Sequence, residues 1–339
     1  MLNFNTAGDI GYRSTGQVKK RLLIRGNYKL VAGKFGQPFT QGKNNTLTGK
    51  WRRYENFPTA EAPLSEGITP AGRKLAKTDV TSTLQQYGDW AELTDVVFDT
   101  HEDDVPKETV NLCGDQMGET VEVVTIATLK SGSNVFYANN AGSRALVNSP
   151  PLAGDFKRIE RSLSKNKATL ITSMIRASQN ISTEPIDPAY IAMGHTDLKA
   201  DIEAMEGFVP VRNYADSSKM VHPTEVGSLG VFRFCLTPLF EAWLVGGLAG
   251  TTYLSSGDIP GSSLGADVYP IIVVGKDSYG VVRLQGVDAV KPAVVYPKPV
   301  VGDELAQRGF VSWKIYFTSV ILNSSWVPRY EVAATATPS

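Results

Sequence analysis

The sequence predicts an α+β protein whose helices and strands are grouped and not regularly interleaved. A long apolar stripe of helical period runs through residues 103–130. Short β-branched and aromatic runs crowd the second half, at Val231 to Leu236, Val268 to Val274, Val281 to Leu284 and Val311 to Leu322. Between them the regular strand–helix alternation of a doubly wound sheet is missing. At 339 residues the chain is longer than single cores usually grow, roughly 250–300 residues, so more than one core is expected. Hydrophobic residues at 42% and charged residues at 20% exclude a disordered chain.

The elements follow in order. Residues 1–54 read as an extended arm, punctuated by Gly26, Gly33, Gly36, Gly42 and Gly49, with no apolar periodicity long enough to bury a core. Residues 55–88 begin with a stretch broken by Pro58, Pro63 and Pro70. Thr78 to Gly88 then alternates Val80, Ser82 and Leu84, which predicts a strand. With Leu47 to Tyr54 it forms a long hairpin around a turn-rich tip, too polar to fold alone. Residues 103–130 predict a helix with acids and Pro106 in its first turn and Val110, Cys113, Met117, Val121 and Val124 on one face. Residues 155–177 predict a second amphipathic helix, with Asp155 as N-cap and Phe156, Ile159, Leu163, Leu170 and Met174 aligned. Ala189 to Met193 reads as a strand and His195 to Met205 as a helix, before the strand-rich remainder.

A net charge of zero conceals a segregation along the chain. Residues 1–54 carry eleven basic residues and one acid, Asp9, a balance of +10. Residues 89–124 carry eleven acids, including Glu102, Asp103, Asp104 and Glu108, against one lysine, a balance of −10. Solvated faces are the ordinary reading of such runs. Complementary surfaces, within one subunit or between neighbours, are the sharper one. Nucleic-acid binding by the arm ranks third, because interleaved aromatics and a known module are missing.

Catalytic chemistry finds little footing. His101, His195 and His222 lie far apart without cysteine partners, so neither a metal nor a cofactor is expected. Ser162 and Lys165 match Ser-x-x-Lys without its companion motifs. Gly36 to Lys43 has one residue too many for a phosphate loop, and Asn44 stands where Ser or Thr belongs. The longest apolar stretch, Leu239 to Gly250, is too short to span a bilayer and contains Glu241. Cys113 and Cys235 cannot build a disulfide framework. No enzyme is expected.

Three blocks in order, Ser65 to Asp104, Asp187 to Met205 and Glu225 to Pro238, resemble the major capsid proteins of tailed bacteriophages, in the branch of podophages that carry a virion RNA polymerase. The resemblance implies the tailed-phage and herpesvirus capsid fold: an arm at 1–54, an extended hairpin loop at 55–88 with strands from about 47, a peripheral domain at 89–185 with a spine helix at 103–130, and an axial domain at 186–309. Residues 310–339 would be return strands to the peripheral domain and a tail. Gly227 to Gly230 and Tyr87-Gly88 stand where the family has a glycine-punctuated strand and the hairpin exit. Met1 directly precedes the arm, so a separate scaffolding protein or a removed prodomain is expected. The implied function is self-assembly as hexamers and pentamers into an icosahedral shell around double-stranded DNA, with portal, scaffolding and decoration proteins as partners. Assembly is expected in the host cytoplasm, and no membrane is involved. The expected contacts between subunits are Lys19, Lys20, Arg21 and Arg25 of the arm, Arg52, Arg53, Phe57, Leu64, Ile68, Arg73 and Lys74 of the hairpin, and Glu102, Asp103, Asp104 and Glu108. The alternative is a carbohydrate-binding or carbohydrate-cleaving module of a virion, marked by clustered exposed aromatics with paired carboxylates. Trp313 and Trp326 read better as core strands.

Overall fold

The computed structural model describes residues 30–42, 46–55, 57–61, 63, 66–67, 72–100, 105–176, 182–214, 220–249, 252–255, 265–284, 293–299 and 304–336. The arm before Leu30, and Leu64, Ile68, Glu102, Asp103 and Asp104, lie outside these residues. A helical turn α1 (Ala32–Phe35) leads into β1 (Gln37–Gln41), the ribbon strands β2 (Thr48–Tyr54) and β3 (Lys77–Thr83), then β4 (Gln85–Thr94). Helices α2 (Asp95–Thr100) and α3 (Val105–Lys130) follow, then β5 (Val135–Tyr137) and α4 (Ala153–Lys165). Next come β6 (Ile171–Arg176), β7 (Ser182–Gly194), the short α5 (Lys199–Glu203), β8 (Phe208–Pro210), β9 (Glu225–Leu229) and β10 (Phe232–Leu236). The chain closes with β11 (Val268–Val274), β12 (Tyr279–Leu284), β13 (Ala293–Val295), β14 (Arg308–Ile321) and β15 (Arg329–Ala333).

Two mixed sheets share the work. The first has the order β1-β12-β14-β13, with β4 on the other edge of β14 in a long antiparallel register from Arg308↔Thr94 to Phe317↔Gln85. The second runs β5-β15-β11-β7-β10-β9-β8, with β6 also on β7. Both faces of this second sheet are covered, so β10 and β11 are buried at every residue and read as continuous apolar runs. Ile191, Met193, Cys235, Ile272 and Val274 point to a core shared with α3 and the first sheet. Their neighbours Tyr190, Ala192, Phe234, Ile271 and Val273 point to a second core closed by α4 and Ile202 of α5. Helix α3 supplies Val110, Cys113, Met117, Val121, Ile126 and Leu129 to the first core, along the stripe its sequence carries.

Four expectations are corrected. The second amphipathic helix ends at Lys165, not near residue 177. Lys167 takes a left-handed φ of 55°, the Ala168 amide bonds the Leu163 carbonyl and the Lys167 amide bonds that of Ser164, closing a Schellman motif. Leu170 precedes β6, and Met174 belongs to it. The N-cap of this helix is Leu152 without a side-chain bond, and Asp155 instead accepts from the Asn139 amide (2.9 Å) and the Tyr330 hydroxyl (2.8 Å). The expected helix at 195–205 is a 3-10 turn at Thr196–Leu198 followed by α5. Trp313 is buried in β14, but Trp326 is half-buried in a 3-10 turn, donating through Nε1 to the Asn166 carbonyl. The segment 310–339 divides between the sheets, with β14 in the first and β15 in the second.

Candidate assembly surfaces

The ribbon grows out of the first sheet. Strands β2 and β3 pair antiparallel from Thr48↔Thr83 to Tyr54↔Lys77. At the base, Trp51 packs on Phe39 of β1 (5.0 Å between rings) and covers Gly280 of β12. Among the described residues, the side-chain hydrogen bonds of the ribbon beyond Trp51 stay within the ribbon. Arg52 and Asp79 close a bidentate pair (2.8 and 3.1 Å), and Thr78 donates to Glu55 (2.9 Å). The Arg52 guanidinium holds the Asp79 carboxyl below its ordinary range. Tyr54, Phe57 and Leu75 are all more than half exposed, and Arg53, Arg73 and Lys74 are exposed beside them. Such apolar side chains on a narrow two-stranded ribbon are a surface awaiting a partner.

The sequence reading sets Glu108, as part of the acidic block, against the basic arm of residues 1–54. In the fold Glu108 is exposed on α3 and accepts from Asn111 (3.2 Å). No ion pair among the described residues joins it to Arg52, Arg53, Arg73 or Lys74. The same helix face exposes Leu112 and Val123.

A site that sequence reasoning missed ties the end of the arm to the body. Glu122, fully buried on α3, accepts from the backbone amides of Val31 (3.1 Å), Ala32 (2.7 Å) and Gly33 (3.2 Å). It is one of the eleven acids of the acidic block, yet it holds amides and not a basic side chain directly. Burial pushes its carboxyl up, opposed by the three amides and by Lys34. Lys34 Nζ lies 3.3 Å from Nε2 of His222, on the loop before β9, and burial lowers its pKa. His222 Nδ1 accepts from the Thr224 amide (3.2 Å). Burial first, and Lys34 second, push His222 down to about 4. The Tyr279 hydroxyl of β12 donates to the Ala32 carbonyl. Residues 30–35 therefore meet α3, the second sheet's loop and the first sheet at one point. The only sequence signal was a glutamate inside the apolar stripe, between Val121 and Ile126.

Among the described residues no cluster of three His, Cys, Asp or Glu side chains could hold a metal ion, and no helix is long and apolar enough to cross a membrane. Cys113 and Cys235 are both buried and unbonded to each other.

The architecture is two sheets bridged by a long helix, with a two-stranded ribbon beside the first sheet. Residues 77–330 match the family model described as "Phage capsid protein", and the chain belongs to that family, a structural protein of the phage capsid. A search of curated proteins finds no match. Among solved structures the fold is similar to the capsid of Ralstonia phage GP4, with a TM-score of 0.66 and 11% identity, covering 91% of this chain and 90% of that one. It is also similar to the head of Helicobacter pylori bacteriophage KHP40, with a TM-score of 0.62 and 11% identity over 90% and 88% of the two chains. The capsid of cyanophage Pam1 gives 0.61 at 14% identity over 88% and 89%. At such identities these likenesses speak for the fold alone.

Proposed function

We propose that this chain tiles an icosahedral shell as hexamers and pentamers around double-stranded DNA, with the ribbon and the arm reaching onto neighbouring subunits. The observation that carries this is the ribbon, whose Tyr54, Phe57 and Leu75 bury little in their own subunit while the base is fastened by Trp51. Its basic flank, Arg53, Arg73 and Lys74, and the exposed face of α3 with Glu108 carry opposite charges, so a neighbour's helix is the natural seat. Extended elements that order only on contact make assembly conditional on concentration and partners. Portal, scaffolding and decoration proteins complete this reading as partners, with assembly in the host cytoplasm. Electron microscopy of the expressed protein tests it. Closed shells or ring-shaped capsomers support it, and a protein that stays monomeric at every concentration and salt overturns it.

A further inference from the structure

Residues 30–35 are held to the body mainly by polar contacts. Only Val31 and Ala32 bury their side chains fully, with Leu30 and Phe35 half-covered at the edge of the first core. The segment is pinned behind at Gly36, where a Cβ would stand 2.6 Å from the Tyr279 ring. Its polar grip has two halves. On one side Glu122 takes three amides and the Tyr279 hydroxyl donates to the Ala32 carbonyl. On the other stands His222, only 2% exposed. Its ring hydrogen-bonds the backbone of Leu30, and its Nε2 lies 3.3 Å from Lys34 Nζ.

The ring is held in that position. Nδ1 lies 2.7 Å from the Thr224 hydroxyl and 3.2 Å from the Thr224 amide, and the Glu225 amide bonds the His222 carbonyl. Glu225 itself accepts from the Val221 amide (2.7 Å) and the Tyr214 hydroxyl (2.9 Å), with Arg233 at 3.7 Å. Among the described residues, the two carboxylates around this junction are therefore committed, Glu122 to the amides and Glu225 to its own turn and Arg233. A proton on His222 places a second cation 3.3 Å from the Lys34 ammonium in a buried site, where like charges repel far more than in water.

We propose that His222 and Lys34 form a proton-operated latch: protonation of the ring releases residues 30–35 from α3 while both sheets stay folded. A short segment with few buried apolar contacts is the kind of unit that opens alone, ahead of the rest of a fold. Six released residues lengthen the arm's reach by up to about 20 Å. Burial, and Lys34 after it, hold the latched ring at about 4 against an ordinary 6.5, so the unlatched ring takes up the proton first as pH falls. Between pH 7 and pH 5 this group alone shifts the balance toward the open form by about twentyfold. Glu122, pushed up by burial, opposes the shift, and Tyr279, pushed up likewise, stays neutral throughout. The inference concerns the single chain and stands apart from the shell reading.

Hydrogen exchange on the dilute, unassembled full-length chain tests it, read at the amides of Val31, Ala32 and Gly33 and corrected for intrinsic rates at pH 7 and pH 5. The ratio of protection at pH 7 to protection at pH 5 is expected to be about twentyfold larger in the wild type than in His222→Gln. Lys34→Met, which leaves the ring but removes the facing charge, gives a ratio below the wild type. The amides of β11 keep their protection at both pH values in all three chains. Equal ratios in the wild type and His222→Gln overturn the latch, and a wild-type ratio in Lys34→Met overturns the role of Lys34 in it. Loss of protection at β11 together with residues 31–33 overturns local release.

Discussion

Glu122 is the residue that holds the backbone of Val31, Ala32 and Gly33 against α3. Three buried amides and one lysine face it, and an unmet buried donor costs about 1–3 kcal/mol. Glu122→Leu is therefore expected to destabilise the fold by on the order of 3 kcal/mol, and Glu122→Gln by less, since one acceptor oxygen remains. Hydrogen exchange at Val31, Ala32 and Gly33 reads the effect directly, and unchanged protection in the leucine variant would refute the anchor. His222 gives a pH dependence of known sign. Its folded pKa of about 4 lies below the ordinary value near 6.5, so the unfolded chain takes up the proton first as pH falls. Stability from this group is full above about pH 6.5 and is lost as pH drops toward 4. Glu122, whose carboxyl is pushed up, works in the opposite direction, while Lys34 faces both. His222→Gln should lose less in melting temperature between pH 7 and pH 5 than the wild type, and an equal loss counts against this account.

At the scale of elements, the ribbon divides at Trp51. The part beyond it holds exposed side chains and three prolines, so replacing residues 58–76 by a short Gly-Ser turn should leave a soluble, cooperatively melting protein that fails to build closed shells. Normal shells from that variant would remove the ribbon as a clamp between subunits. Trp51→Ala acts on the base instead, loosening the seam between β1, β2 and β12, and is expected to cost about 2 kcal/mol, below the range for a fully buried tryptophan. The ribbon strand β3 was legible from the alternation at Val80 and Ser82, but the single strand expected over 78–88 breaks at Leu84, where β3 ends and β4 begins in the first sheet. Helix α3 was legible from its apolar spacing. Helix α4 was overread, because Leu170 and Met174 continue the helical spacing by coincidence. The Schellman turn at Lys167 is a non-glycine left-handed cap that composition does not announce.

We propose that the two charge blocks act at the scale of the assembled particle, Glu122 excepted. Single surface pairs contribute only about 0–1 kcal/mol, so an effect requires many of them together. Assembly is expected to weaken as salt shortens the screening length from about 10 Å at 0.1 M toward 3 Å at 1 M. Changing Lys19, Lys20, Arg21 and Arg25 to Glu should impair assembly, and Glu102, Asp103, Asp104 and Glu108 to Lys should restore part of it. Shells that form normally but package DNA poorly would place the arm's charge on the DNA side instead. A shell without covalent links is also expected, since both cysteines are buried in the first core. Boiled, reduced particles should run as one band near 36.7 kDa, and a ladder of multiples would contradict this.

The sequence by itself determined the α+β class, the hairpin, the spine-like helix and the resemblance to phage capsids. Each of these is written in local periodicity or in ordered blocks of residues. Only the tertiary structure decided which acid of the acidic block holds Val31, Ala32 and Gly33, that the chain's last strand leaves β14 for the second sheet, and that Arg144 pairs with Glu331. Glu122 is 89–91 residues from the amides it binds, and Arg144 is 187 from Glu331. A contact across such separations depends on how both sheets pack around α3, and no local pattern in the chain encodes it.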